Sequence, residues 1–145
     1  MRHILKRFDV PTVIRWMILA VWMIIFLTYL LQSEAAPVLS TGIPPGPPTP
    51  AREAFFTTIH LLAYTLNTLL WTWALITVLP LKRTLIAAFV IVLSMGFLTE
   101  LGQTLTPDRH FQLIDLAANV GGLLLGLVGF SAIYTWYEQP SQALN

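Results

Sequence analysis

The sequence predicts an all-α fold, a four-helix transmembrane bundle with both termini cytoplasmic. Three observations carry this. The 145-residue chain is 56% hydrophobic and only 10% charged, with a mean hydropathy of +0.72, whereas soluble domains carry roughly 25% charged residues. The apolar residues gather in four runs, each near the ~20 residues needed to cross a bilayer core. None of these runs alternates apolar with polar residues, and all are too long for barrel strands, so each reads as a helix. The whole chain, 1–145, is expected to form a single integral membrane domain.

The first span, about 13–31, is uncharged after Arg15. Basic residues precede it and Ser33-Glu34-Ala35-Ala36 follows, as around a cleavable signal. Its apolar stretch exceeds the roughly 7–15 residues of a signal core, so it is read as a transmembrane helix. Segment 36–50 has prolines at 37, 44, 45, 47, 48 and 50 and is expected to be an extended, polyproline-like outer loop acting as a stiff spacer. The second span, about 55–79, holds His60 as its one titratable residue. A tight turn is expected at Pro80-Leu81-Lys82-Arg83, then a third span at about 85–105 with Glu100 near its end. Thr106-Pro107-Asp108-Arg109 is the turn into a fourth span, about 111–137, with Asp115 near its start.

Four spans place Arg2, Lys6, Arg7, Arg15, Lys82 and Arg83 on one side and only Arg52 and Arg109 on the other. By the positive-inside rule the richer side, with both termini, is cytoplasmic. Trp16, Trp71, Trp73, Trp136 and Tyr137 suit interface or lipid-facing positions. A net charge of +1 offers no field for nucleic acid. The absence of cysteine excludes disulfides, thiolate metal sites, iron–sulfur clusters and a cysteine nucleophile. No cofactor is expected.

On this topology the remaining polar residues converge near the outer face. His60/Tyr64 and Asp115/Asn119 are i,i+4 pairs and Glu100/Gln103 is an i,i+3 pair, so each pair shares a helical face. Facing lipid, such groups would go unsatisfied at several kcal/mol each. The three faces are therefore expected to turn inward, with Arg109 or His60 pairing Glu100 and Asp115. Intramembrane ionisable groups are functional-site candidates by default. Gly122-x-x-x-Gly126 on the fourth helix permits close backbone approach. Packing within the chain, against the second or third helix, is the favoured use, and a dimerisation face is the alternative. His60, Glu100 and Asp115 are acceptable ligands for a divalent ion. No local metal motif accompanies them, and Arg109 would oppose a cation, so no metal site is expected. The inner halves of the second to fourth helices read as almost wholly apolar, which argues against transport by this chain alone.

His60-x-x-x-Tyr64, Glu100-x-x-Gln103, Pro107-x-Arg109, Asp115, Asn119 and Gly122, in that order and spacing, resemble the VanZ-like membrane proteins. The similarity covers about 57–126, the last three helices. Departures are Thr99 in place of an acidic residue before the Glu, Thr57 and Thr58 near a usually basic position, Asp108 for Gly, and Gln112 for Ser or Thr. With Thr99, a two-carboxylate mechanism on the third helix loses its second acid. The resemblance implies a bacterial inner (plasma) membrane and a role of the glycopeptide-resistance type, with no assigned activity for most relatives.

Two functional readings follow. In the first, the polar cluster binds an amphiphilic or cell-envelope ligand, such as a membrane lipid or a polyprenyl or cell-wall precursor, with Arg109 clamping an anion. An enzymatic version would use His60 as general acid or base, oriented by Glu100 or Asp115. In the second, the chain is a non-catalytic accessory subunit among other membrane proteins, and the cluster is a mutually satisfied network that fixes helix register.

Overall fold

The computed structural model describes residues 10–32, 49–106 and 111–142, with side chains through Trp136. These residues are all-helical, in four elements: α1 (Thr12–Leu31), α2 (Pro50–Leu75), α3 (Leu81–Gln103) and α4 (Leu113–Gln142). The ends differ from the hydropathy boundaries for local reasons. α2 begins at Pro50 rather than near Phe55, because the Thr49 hydroxyl accepts the Arg52 N–H at 3.3 Å and proline suits a first helical position. The last proline of the expected outer loop is thus helical. The rest of that loop, through Pro48, lies outside the described residues.

α2 stops at Leu75, short of the expected Leu79. The Leu79 N–H reaches back to the Leu75 carbonyl at 2.9 Å, and the Thr77 hydroxyl donates to the Ala74 carbonyl at 2.6 Å. The expected turn at Pro80-Leu81-Lys82-Arg83 is corrected accordingly. Pro80 is the N-cap of α3, its carbonyl accepting the Thr84 N–H at 2.9 Å, and Leu81, Lys82 and Arg83 form the first helical turn.

α1, α3 and α4 as far as Trp136 are long and apolar enough to cross a membrane. The 26 residues of α2 extend about 39 Å at 1.5 Å per residue, but this helix carries the most polar side chains. Its threonines are satisfied internally: Thr58, Thr65, Thr68 and Thr72 each donate to the carbonyl four residues back, at 2.7–2.8 Å. Asn67, Thr68 and Thr72, the polar exceptions in a half of α2 expected to be almost wholly apolar, are fully buried.

α2 packs against every other helix, most extensively α4, while α1 and α4 each lie against α2 and α3. Contact order gives the directions. Arg15 meets Trp73, Trp22 meets Asn67 and Phe26 meets Tyr64, so α1 and α2 are antiparallel. Asn67 meets Met95 and Tyr64 meets Thr99, so α3 is antiparallel to α2. Thr57 meets Asp115 and His60 meets Asn119, so α4 runs parallel to α2.

The α2–α4 seam depends on Gly122 and Gly126. A Cβ at Gly122 would run into the Leu61 carbonyl oxygen and come within 2.9 Å of the Thr65 amide nitrogen; at Gly126 it would meet the Thr68 Cβ and, at 2.9 Å, the Thr65 carbonyl. The glycine pair is therefore used against α2 within the chain.

Phe26, Leu30, Tyr64, Val92 and Leu123 form the apolar core. Among the described residues, polar side chains are as numerous as apolar ones in the buried set, while Val13, Met17, Ile24, Leu98 and Val128 stand exposed. A polar interior inside an apolar exterior is the reverse of a water-soluble domain. At the end opposite the His60 cluster, Arg15 ties α1 to α2. Its Nη1 donates to the Trp73 carbonyl at 3.2 Å and its guanidinium lies 4.9 Å from the Trp73 ring centre.

Candidate functional site

Three helices bring His60, Glu100, Asp115 and Asn119 together at the bundle end formed by the C-termini of α1 and α3. All four are buried, from Glu100 at 0% to Asp115 at 5% exposure. Asn119 is the hub. Its Oδ1 lies 2.9 Å from His60 Nδ1, and its Nδ2 donates to Glu100 Oε1 at 3.3 Å. The same imidazole nitrogen is 3.8 Å from that Glu100 oxygen. The other ring nitrogen, Nε2, faces Asp115 Oδ2 at 4.0 Å, too far for a hydrogen bond. The imidazole thus lies between two carboxylates.

Each carboxylate has further support. The Gln112 backbone N–H donates to Glu100 Oε2 at 3.4 Å, and the Thr57 hydroxyl donates to Asp115 Oδ1 at 2.9 Å. Asp115 sits in the first turn of α4, where the helix dipole favours an anion.

Tyr64 and Gln103 are buried but turn elsewhere. The Tyr64 hydroxyl lies 2.6 Å from Thr99 Oγ1, which itself donates to the Met95 carbonyl at 2.9 Å, so the phenol is the donor. Its ring packs edge-on to Phe26 at 5.1 Å. Gln103 is placed differently from the sequence expectation. An i,i+3 step turns it about 60° around α3 from Glu100, and it leaves the cluster to donate to the Leu30 carbonyl of α1 at 3.0 Å. That carbonyl is in the last turn of α1 and has no helical partner of its own. The Thr106 hydroxyl does the same for Leu31 at 3.4 Å. Arg109, with Pro107 and Asp108, lies outside the described residues.

Sequence reasoning missed three members. Thr57, three residues before His60 on the same face, and Thr99, beside Glu100, were marked only as departures from a pattern. Asn67 is the third: it accepts the Trp22 indole N–H at 3.2 Å and places its own amide 3.8 Å from Met95 Sδ. The signal was spacing, because 57, 60, 64, 67, 68 and 72 form one stripe along α2.

An apolar groove of about 610 Å³ runs between α3 and α4, lined by Leu93, Ser94, Phe97, Leu98, Leu116 and Val120. Leu93, Leu116 and Val120 also wall a smaller void that reaches Asn119 and Gly96. Among the described residues no group of three His, Cys, Asp or Glu side chains is arranged to hold a metal ion.

Comparison of this chain with protein-family models, with curated proteins and with solved structures returns no match.

Proposed function

We propose that the chain is a four-span membrane protein of VanZ-like type whose polar cluster holds the headgroup of an amphiphile at the outer face of a bacterial plasma membrane. One observation carries the reading: the buried His60–Asn119–Glu100–Asp115 cluster and the α3–α4 groove meet on the same turns of α4, with Leu116 and Val120 beside Asn119. A polar site adjoining an apolar groove is the complement of a molecule with a polar head and a hydrocarbon tail. Orientation is part of the proposal. Arg15, Lys82 and Arg83 share the bundle end opposite the cluster. Lys82 and Arg83 occupy the first turn of α3, where the helix dipole disfavours cations; a cytoplasmic location accounts for them. Arg109 enters as the anion clamp on sequence grounds alone.

The second reading, an accessory subunit, is favoured by how completely the cluster is hydrogen-bonded. Native mass spectrometry of the chain, extracted from its own membrane in mild detergent, separates the two. The ligand reading expects a monomer with one phosphorylated-lipid adduct, lost in Arg109→Ala. A fixed stoichiometry with other membrane proteins and no adduct would establish the accessory role instead.

A further inference from the structure

At the cluster end the seam between α3 and α4 is fastened through one side chain. α2 meets α4 backbone to backbone at Gly122 and Gly126, and it holds α3 through Tyr64–Thr99 and Asn67–Met95. By contrast, both hydrogen bonds that tie α3 to α4 there fall on the Glu100 carboxylate. Its Oε1 accepts the Asn119 amide at 3.3 Å, and its Oε2 accepts the N–H of Gln112, the residue before α4, at 3.4 Å. Both are long for bonds to a carboxylate.

Below this point the two helices face each other with apolar side chains, Val92 and Leu93 across a void from Val120 and Leu123. Leu93, Leu116 and Val120 wall both that void and the outer groove. The void reaches Asn119, which Gly96 leaves uncovered: an added Cβ would stand 3.5 Å from the Asn119 Cβ. It has no room for a water molecule. A chain lying in the groove therefore reaches Asn119 only when α3 and α4 part.

From this arrangement we infer that the α3–α4 seam is a lateral door, latched by Glu100, through which a lipid hydrocarbon chain slides in beside Asn119. The inference rests on the amphiphile reading above and adds its route of entry and its latch. The occupant is hydrocarbon because the groove lining, among the described residues, carries no charge, and because both bordering helices are apolar enough to lie in a bilayer core.

A lipid that labels what it touches tests the door. The full-length chain is placed in phosphatidylglycerol vesicles doped with a phosphatidylglycerol that carries a diazirine in its acyl chain, irradiated, and mapped by peptide mass spectrometry. Leu98, 64% exposed, labels whether or not the seam opens. The door predicts label on Val92 and Leu123 as well, 1% and 0% exposed in the closed seam, several-fold above Phe26 and Leu30, which are as deeply buried but belong to α1. Glu100→Gln replaces one acceptor oxygen with an NH2, so one of the two N–H groups from the α4 side meets a donor. Label on Val92 and Leu123 is then expected to rise about fivefold, the worth of one hydrogen bond. Should that variant fail to fold, Gln112→Pro removes the other N–H and leaves Glu100 in place. Val92 and Leu123 no more labelled than Phe26 and Leu30, beside a labelled Leu98, overturns the door and leaves the amphiphile reading to its own adduct measurement. Label on Val92 and Leu123 that the folded variant does not raise overturns Glu100 as the latch. Absence of any lipid adduct in native mass spectrometry overturns the amphiphile reading itself.

Discussion

Asn119 holds the cluster together through its two amide atoms, one toward His60 and one toward Glu100. Asn119→Ala removes both partners and leaves an imidazole and a carboxylate buried without them. The expected cost is about 1–3 kcal/mol in reversible unfolding in mixed detergent micelles. Asn119→Asp, of equal size, sets a third carboxylate against Glu100 and is expected to destabilise at least as much, because like charges repel strongly where water is scarce. Asn67 gives a milder contrast. Asn67→Leu strands only the Trp22 indole N–H, and hydrogen bonds between membrane helices average about 0.6 kcal/mol, so a loss near 1 kcal/mol is expected in the same assay. His60, Glu100, Asp115 and Asn119 were legible from spacing because each is a polar interruption in an apolar run. Gln103 was harder to place. Its neighbour at i,i+3 pointed to the cluster, yet α1 lies on that side of α3 and offers an unsatisfied carbonyl. Only the position of a helix with no charged residue after Arg15 resolves this.

Among elements, α2 and α4 form the seam that positions the site, and glycine makes it possible. Gly122→Leu or Gly126→Val forces side-chain atoms into the α2 backbone and the Thr68 side chain. Overpacking of this kind costs about 1–3 kcal/mol or more, and both variants are expected to unfold at markedly lower denaturant. Gly129→Ala, on the same helix with open space around it, is expected to be neutral or to stabilise by up to about 1 kcal/mol through helix propensity. The pair of outcomes separates seam packing from a general intolerance of α4 to substitution. α1 is held by fewer contacts, and Gln103→Leu, which frees the Leu30 carbonyl, is expected to speed proteolysis or hydrogen exchange in the last turn of α1 without disturbing α2–α4. The four helices themselves were readable from hydropathy. Their ends were not, because Thr49 capping ahead of Pro50 and Pro80 capping α3 are local backbone events that a hydropathy window averages away.

The described residues present an apolar outside around an interior stripe of imidazole, carboxylate, amide and hydroxyl groups. The proposed four-crossing topology puts residues 32 and 49–52 on one side of the membrane with Thr106, and 76–80 on the other. The chain has no cysteine, so single substitutions such as Thr77→Cys and Thr106→Cys report topology cleanly. In intact cells an impermeant maleimide is expected to label Thr106→Cys and not Thr77→Cys. Labelling in the opposite sense would reverse the orientation or remove α2 as a crossing, and labelling of both would remove α3 as a crossing.

The central claim is that the cluster is a binding site and not only architecture, and one measurement on one variant tests it most directly. Unfolding free energy and lipid-adduct retention are read together on His60→Gln, which keeps a polar side chain of similar reach beside Asn119. The account predicts that the stoichiometric adduct is lost while stability falls by less than about 2 kcal/mol. An adduct that persists in the folded variant, or one absent from the wild-type chain while His60→Gln unfolds outright, contradicts it.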